Sequence, residues 1–120
     1  MPDSPTVIEA ARQLGRLLAQ HPAVQKLESL MQQLDEDREA RRLQTDLTRH
    51  RETLAEKQRE GKPIEVDDKR RLETLQQSVA AHPLLRDLQM AQMDYLDLMR
   101  QVDQQISAAR SEADPPASDG

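Results

Sequence analysis

The chain has 120 residues, a net charge of −5, no cysteine, tryptophan or phenylalanine, and a single aromatic residue, Tyr95. This composition excludes a disulfide framework, a zinc–thiolate site, a cysteine-ligated iron–sulfur cluster, a thiol nucleophile and an aromatic platform for stacking nucleic-acid bases. Leucine, isoleucine and valine together make up only one residue in five, so the core must be thin and built mostly from leucine.

No apolar run approaches the about 18 residues that a membrane span requires. The acidic start Met1-Pro2-Asp3-Ser4-Pro5 lacks the basic and then apolar pattern of a signal peptide. We therefore expect a cytoplasmic protein without a membrane contact.

Prolines and one glycine divide the chain into four segments in which apolar residues repeat at helical spacing. The dividing residues are Pro5, Pro22, Gly61, Pro63 and Pro83. We predict an all-α, four-helix, bundle-like fold with one long projecting helix, joined at His-Pro and Gly-Lys-Pro turns. The helical domain would cover residues 6–109, between an N-terminal tail of residues 1–5 and a disordered acidic C-terminal tail of residues 110–120.

The first predicted helix covers residues 6–20 and has one apolar stripe. The stripe consists of Val7, Ala11, Leu14 and Leu18. Thr6 and Glu9 have the spacing of a capping box, which predicts that the helix starts there. Gly15 either permits a close crossing with another helix or is merely tolerated in this one.

The second predicted helix covers residues 22–60 and carries two apolar stripes, separated by a polar stretch from Asp35 to Arg42. Because no turn residue interrupts that stretch, we predict one continuous helix about 55 Å long. Such a helix exceeds the width of a globule of this size, so part of it should project or cross another subunit.

The third predicted helix covers residues 68–81, with Asp67 or Asp68 as its N-cap. The fourth covers residues 83–109, where apolar residues alternate at spacings of three and four as in a heptad seam. Further apolar residues widen this seam, which favours a bundle over an isolated coiled coil.

The three histidines do not form a recognisable metal site. Each lacks the glutamate three residues earlier that ferritin-like helical sites require. His21 and His82, which both precede proline, either act at helix ends or meet and share a metal, and we favour the helix-end role. His50 lies on an apolar stripe, which favours a packed or interface side chain over a ligand. We predict no catalytic residue, no metal and no cofactor.

The charged segments show no strong sign of a ligand. The acids of residues 35–39 indicate a solvated helix face or, as the alternative, a contact patch for a partner. The basic residues near Arg49 and Arg70 are balanced by neighbouring acids, so we expect no direct nucleic-acid binding. Met90 and Met93 lie off the main seam and either fill the core or offer a second contact surface.

The order of four elements gives the chain a family resemblance. These are the long polar segment Leu34-Asp35-Glu36-Asp37-Arg38-Glu39-Ala40-Arg41-Arg42-Leu43, the turn Gln58-Arg59-Glu60-Gly61-Lys62, the joint His82-Pro83, and the helix end Val102-Asp103-Gln104-Gln105-Ile106. In this order the chain resembles the YlbF/YmcA family of small helical bacterial regulators over residues 6–109.

The resemblance implies a helical protein that self-associates and has no catalytic activity. The best-known family members join a third protein in a complex that modulates an endoribonuclease and thereby mRNA processing, competence, sporulation and biofilm formation. Members of that complex bind iron–sulfur clusters through cysteines, and this chain has no cysteine to do so.

We therefore predict a non-enzymatic regulator or adaptor that forms a homo-oligomer, dimeric or higher, and contacts a heteromeric partner related to an RNA-processing complex. The alternatives are a helical co-chaperone or assembly factor and, as a third class, a metal or nucleotide enzyme. The candidate oligomer interface comprises Leu43, Leu47, Leu54, Leu88, Tyr95, Met99, Val102 and Ile106. The candidate partner surface comprises Asp37, Arg38, Arg41, Arg42, Met90 and Met93.

Overall fold

A computed structural model of the protein describes residues 3–113, of which 91% are helical. Within that range there are five α-helices and no strand, which confirms the predicted all-α class. The helices are α1 (Ser4–Gln20), α2 (Pro22–Glu36), α3 (Arg38–Arg59), α4 (Val66–Ala81) and α5 (Pro83–Ala113). Over these same residues, no helix combines the length and the apolar character that crossing a bilayer requires.

The predicted long helix over residues 22–60 is wrong, because the chain breaks at Asp37 into α2 and α3. Asp37 has φ −106° and ψ 98°, and its carboxylate accepts the Ala40 amide at 2.9 Å as the N-cap of α3. The Arg41 guanidinium donates to the Asp35 carbonyl oxygen near the end of α2. Local capping at both helix ends therefore replaces the continuous helix, and within residues 3–113 no helix reaches the predicted length.

The start of α1 also differs from the prediction. Asp3 is the N-cap, and its carboxylate accepts the Thr6 amide at 3.0 Å and the Thr6 hydroxyl at 2.6 Å. Thr6 therefore lies inside the helix, and Glu9 pairs with Arg12 and Arg16 rather than forming a capping box with Thr6. Pro5 fits the first turn because a helix start leaves its backbone amides unbonded.

The turn between α3 and α4 follows the prediction at its glycine. Gly61 has φ +71°, and the Lys62 amide bonds the Lys57 carbonyl oxygen at 2.8 Å, which closes the end of α3. The helix that follows starts earlier than predicted, with Glu65 as the N-cap of α4. Asp68 instead accepts the Glu65 amide at 3.1 Å from the third position of the helix.

The two His-Pro joints are confirmed. His21 ends α1 and His82 ends α4, both with extended backbone, and the proline that follows each histidine is the first residue of the next helix. The residue before a proline is sterically driven out of the helical region, which explains both boundaries.

The last helix continues beyond the predicted end of the domain. It reaches Ala113, four residues past Ala109, so the start of the predicted disordered tail is helical. Residues 114–120 of that tail and residues 1–2 of the N-terminal tail lie outside the described residues.

The chain divides into two compact units. One contains α1, the start of α2 and the larger part of α5, over described residues 3–27 and 91–113. The other spans residues 28–90, and in it α3 and α4 pack against each other. Its core cluster consists of Ala40, Leu43 and Leu85, with the partly buried Leu34, Val79 and Leu84 packed around it.

Candidate partner-binding surfaces

Three residues of the predicted oligomer interface belong to the core of the single chain. Leu43 and Leu47 are buried on α3, and Leu88 on α5 is only 2% exposed. Leu43 packs in one cluster with Leu85 and the partly buried Val79, so residues of the same chain cover it. The prediction that these three side chains form an interface is therefore corrected: they are already used within the chain.

The other five residues of that predicted interface are more accessible. Leu54 on α3 is half-buried. The remaining four, on the part of α5 that belongs to the first unit, are the half-buried Tyr95, Met99 and Val102 and the exposed Ile106. A shallow groove runs beside them, lined by Leu96, Met99, Arg100, Asp103, Gln104 and Ser107. This part of α5 keeps apolar side chains within reach of another protein.

Met90 and Met93 are exposed on α5, at 61% and 63% respectively. Neither side chain therefore fills the core of the single chain. Leu96, three residues after Met93 on the same helix, is also exposed. Its exposure was not predicted, because exposure depends on what packs against each face of the helix.

The charged residues of the predicted partner surface are partly engaged within the chain. Asp37 is half-buried, caps α3, and places its carboxylate 3.7 Å from Nε2 of His82. The Arg42 Nη1 atom lies 3.6 Å from Oδ2 of Asp46, one turn further along α3. Arg38, Arg41 and Arg42 are all exposed, so their side chains remain reachable from solvent while the Asp37 carboxylate has a structural role.

The first helix presents an apolar face that was not among the predicted contact surfaces. No residue of α1 is buried, and Leu17 is 66% exposed. Val7 and Ile8 are exposed as well. A shallow groove along the helix is lined in part by Ala10, Leu14 and Leu17. The stripe was visible in the sequence, but its spacing alone does not say whether another part of the chain covers it.

A polar cluster ties the end of α3 to the start of α4. His50 is buried and donates from Nε2 to the Asp68 carbonyl oxygen at 2.8 Å, which confirms a packed histidine. Lys57 Nζ lies 2.6 Å from Asp68 Oδ2. The Lys57 hydrogen bond, together with that of the Glu65 amide, lowers the pKa of Asp68, and the same Asp68 contact raises the pKa of Lys57. This cluster stabilises the α3–α4 hairpin.

Over residues 3–113, no group of three or more histidine, aspartate or glutamate side chains is arranged to hold a metal ion. His21 Nδ1 accepts the Ala23 amide at 3.0 Å at the start of α2, which is a helix-end role. Both units expose apolar and charged side chains at their surfaces.

Comparison with known proteins places the chain in a family. Among curated proteins none matches it. Its fold is similar to that in the X-ray crystal structure of Bacillus subtilis RicA in complex with RicF, with a TM-score of 0.79 and 22% sequence identity, over 92% of this chain and 98% of the other. A family model described as "Control of competence regulator ComK, YlbF/YmcA" matches residues 7–109. The chain therefore belongs to the YlbF/YmcA family, in agreement with the resemblance drawn from its sequence.

Proposed function

We propose that this protein is a non-enzymatic helical regulator that acts in the cytoplasm by self-association and by contact with a partner protein. The observation that carries the proposal is the set of apolar side chains left exposed on two helices. On these two helices the exposed large apolar residues are Val7, Ile8 and Leu17 on α1 and Met90, Met93, Leu96 and Ile106 on α5, and one residue each on α2 (Met31) and α4 (Val66) is exposed as well. Apolar residues that recur at helical spacing and stay in contact with water are typical of helices that complete their packing against another protein.

The partner protein is supported by the comparisons. The family description names control of a competence regulator, and the similar fold comes from a complex of RicA with RicF. The family resemblance drawn from the sequence extends the proposal to a role in a heteromeric complex that modulates an endoribonuclease and mRNA processing. Because the chain has no cysteine, such a role here would not involve a cysteine-ligated cluster.

The part of α5 beyond Ala91 is the proposed contact surface for a homo-oligomer. Tyr95, Met99, Val102 and Ile106 follow one another at spacings of four, three and four, so they share one face of the helix. Burying this face against a helix of another chain would remove apolar surface from water, at about 25 cal/mol per Å².

Sedimentation velocity at micromolar concentration tests self-association. We expect an oligomer for the natural sequence and a shift towards monomer for Ile106→Glu, since a buried carboxylate would oppose association. Gln101→Glu is the matched control, because it places the same charge on α5 well away from Ile106 and outside the groove. A natural chain that sediments as a stable, folded monomer would contradict the proposal.

A crosslinked pull-down tests the partner. Recovery of one ribonuclease-associated complex would support the regulator. Recovery of many unrelated nascent chains would overturn it in favour of a co-chaperone or assembly factor, which would use the same exposed apolar surfaces on unfolded clients.

A further inference from the structure

We propose that the contact between Asp37 and His82 is a latch between two helix joints, and that its release lets α2 and α3 join into one helix. The first joint is Asp37, between α2 and α3, and the second joint is His82, between α4 and α5. Both joints lie within the unit of residues 28–90. The change takes place within one chain, so it does not depend on the self-association proposed above.

The core cluster of this unit is assembled from residues within six positions of the two joints. Those beside the first joint are Leu34, Ala40 and Leu43, and those beside the second joint are Val79, Leu84 and Leu85. Side chains from both sides of each joint thus meet in one cluster, although the two joints are far apart in the sequence. The packing of one joint is therefore part of the packing of the other.

The cluster requires the break at Asp37. Leu34 and Leu43 are nine residues apart, and a continuous helix, which turns by about 100° per residue, would place them on opposite sides. They reach the same cluster because the first joint turns α2 relative to α3. Since α3 is packed against α4, a continuous helix would carry Leu34 out of the cluster.

Backbone hydrogen bonding by itself does not favour the bent form over the continuous helix. In the bent form the Asp37 carboxylate accepts the Ala40 amide at 2.9 Å, and the Arg41 guanidinium donates to the Asp35 carbonyl oxygen. In a continuous helix, backbone groups one turn away would bond the same amide and the same carbonyl oxygen. No glycine or proline stands in residues 34–43 to enforce the break, so contacts from outside this segment decide between the two forms.

His82 supplies such a contact. Its Nε2 lies 3.7 Å from Oδ2 of Asp37, and its side chain is only 17% exposed. Nδ1 of the same ring is buried without a hydrogen-bond partner among the described residues. Because a buried polar atom without a partner costs free energy, the closed latch combines favourable core packing with an unfavourable ring nitrogen. Release would return that nitrogen to water and so offset part of the packing lost from the cluster.

The test is His82→Ala in the full chain, read by NMR at the first joint. This substitution leaves residues 34–43 unchanged, and the following proline still keeps position 82 out of the helical region. We expect the Cα resonance of Asp37 to move from the extended range to the helical range, because the residue would then lie inside one helix.

Hydrogen exchange at the start of α3 gives a second reading of the same change. In the bent form the amides of Arg38 and Glu39 have no backbone acceptor within the described part of the chain. A continuous helix would give both amides an acceptor one turn earlier. We therefore expect their exchange in His82→Ala to slow about tenfold or more, while a merely loosened core would leave it as fast or faster.

The matched control is His21→Ala. His21 also precedes a proline that starts a helix, but it belongs to the other unit and its Nδ1 accepts the Ala23 amide. We expect no change at the first joint in this variant. Arg38→Pro, added to His82→Ala, is the converse control: proline inside a continuous helix removes a backbone hydrogen bond and clashes with the preceding turn, so the extended signal of Asp37 should return.

An unchanged first joint in His82→Ala would overturn the proposal, because the local cap of α3 would then be sufficient for the break. Asp37→Ala releases the latch from its other side and keeps the test decisive if His82→Ala does not fold. In this variant too, exchange of the first two amides of α3 should slow, and the addition of Arg38→Pro should reverse the effect. Exchange that stays fast in Asp37→Ala would overturn the proposal as well.

Discussion

At the scale of single residues, aspartate carboxylates set the starts of three helices. Asp3 and Asp37 are the N-caps of α1 and α3, and Asp68 accepts the N-cap amide of α4. Each carboxylate satisfies backbone amides that a helix start leaves unbonded, and its negative charge interacts well with the positive end of the helix dipole. Asp68 has a further partner in Lys57, which joins the start of α4 to the end of α3.

The Asp68 cluster predicts a specific pH dependence. Because the pKa of Asp68 is lowered in the folded chain, its contribution to stability is present above the unfolded-state pKa and is lost as pH falls through the folded-state pKa. Asp68→Asn should therefore unfold at a lower temperature than the natural chain near neutral pH, and the gap should shrink below about pH 4. Thermal unfolding of both chains across pH measures this.

At alkaline pH, the contribution of Lys57 to stability changes with pH in the opposite direction from that of Asp68. Its raised pKa means that its contribution to stability is present below the unfolded-state pKa and lost only as pH rises through the folded-state value.

The control for Asp68→Asn is Asp67→Asn, at the exposed neighbouring position. It should show a smaller difference in unfolding temperature from the natural chain. A gap for Asp68→Asn that persists unchanged at pH 2 would argue against the ion pair as its cause.

The core leucines of the α3–α5 region predict a large truncation effect. Leu88→Ala should lower the free energy of unfolding by about 2–5 kcal/mol, because it leaves a cavity at a side chain that is 2% exposed. Met90→Ala, two residues away and exposed, should change the free energy by less than about 0.5 kcal/mol. Urea denaturation at a concentration where the chain is monomeric gives both values, and equal effects would contradict the assignment of Leu88 to the core.

At the scale of the helices, the joint at Asp37 decides how the middle of the chain is organised. One residue outside the helical region is enough to separate α2 from α3. The separation lets the stripe of Leu43 and Leu47 pack in a unit that also contains α4.

The joint predicts an asymmetric response to proline. Arg38 is the first residue of α3, where proline is tolerated, and Asp37 already has the extended backbone that a following proline requires. Arg38→Pro should therefore change the free energy of unfolding by less than about 1 kcal/mol, whereas Arg42→Pro, inside α3, should cost about 3 kcal/mol. Circular dichroism with urea denaturation compares them, and a comparable loss in both variants would indicate a continuous helix.

At the scale of the whole molecule, the buried apolar side chains are unevenly distributed along the chain. Residues 28–90 contain a defined core cluster, while α1 has no buried residue. Local stability follows burial, so an uncovered helix should open far more easily than the α3–α4 hairpin. If association covers α1 and part of α5, the stability of these helices becomes linked to protein concentration.

That linkage predicts a concentration-dependent unfolding transition. The midpoint temperature should rise as the protein concentration increases from about 1 to about 100 μM, because association stabilises only the folded state. Hydrogen exchange should show that the amides of α1 gain protection over the same range, while those of α3 and α4 are protected throughout. A constant midpoint, with α1 equally protected at all concentrations, would contradict the proposed association.

The sequence by itself determined the features that depend on local physics. Helical spacing of leucines predicted the all-α class, the two His-Pro sequences predicted two joints, and Gly61 predicted the end of α3, because proline and glycine act through backbone angles that a local stretch of chain already defines. The break at Asp37 escaped prediction because a run of charged residues suits a solvated helix equally well, and the choice between continuing and capping depends on how the flanking helices pack.

Only the tertiary structure decided which apolar stripes are covered. The stripe of Leu43 and Leu47 and the stripe of Val7 and Leu14 have the same kind of spacing, yet the first is buried and the second is not. Periodicity identifies an apolar face but carries no information about the element that packs on it, since that element comes from a distant part of the chain or from another molecule. The physical difference between core and contact surface lies in that long-range packing.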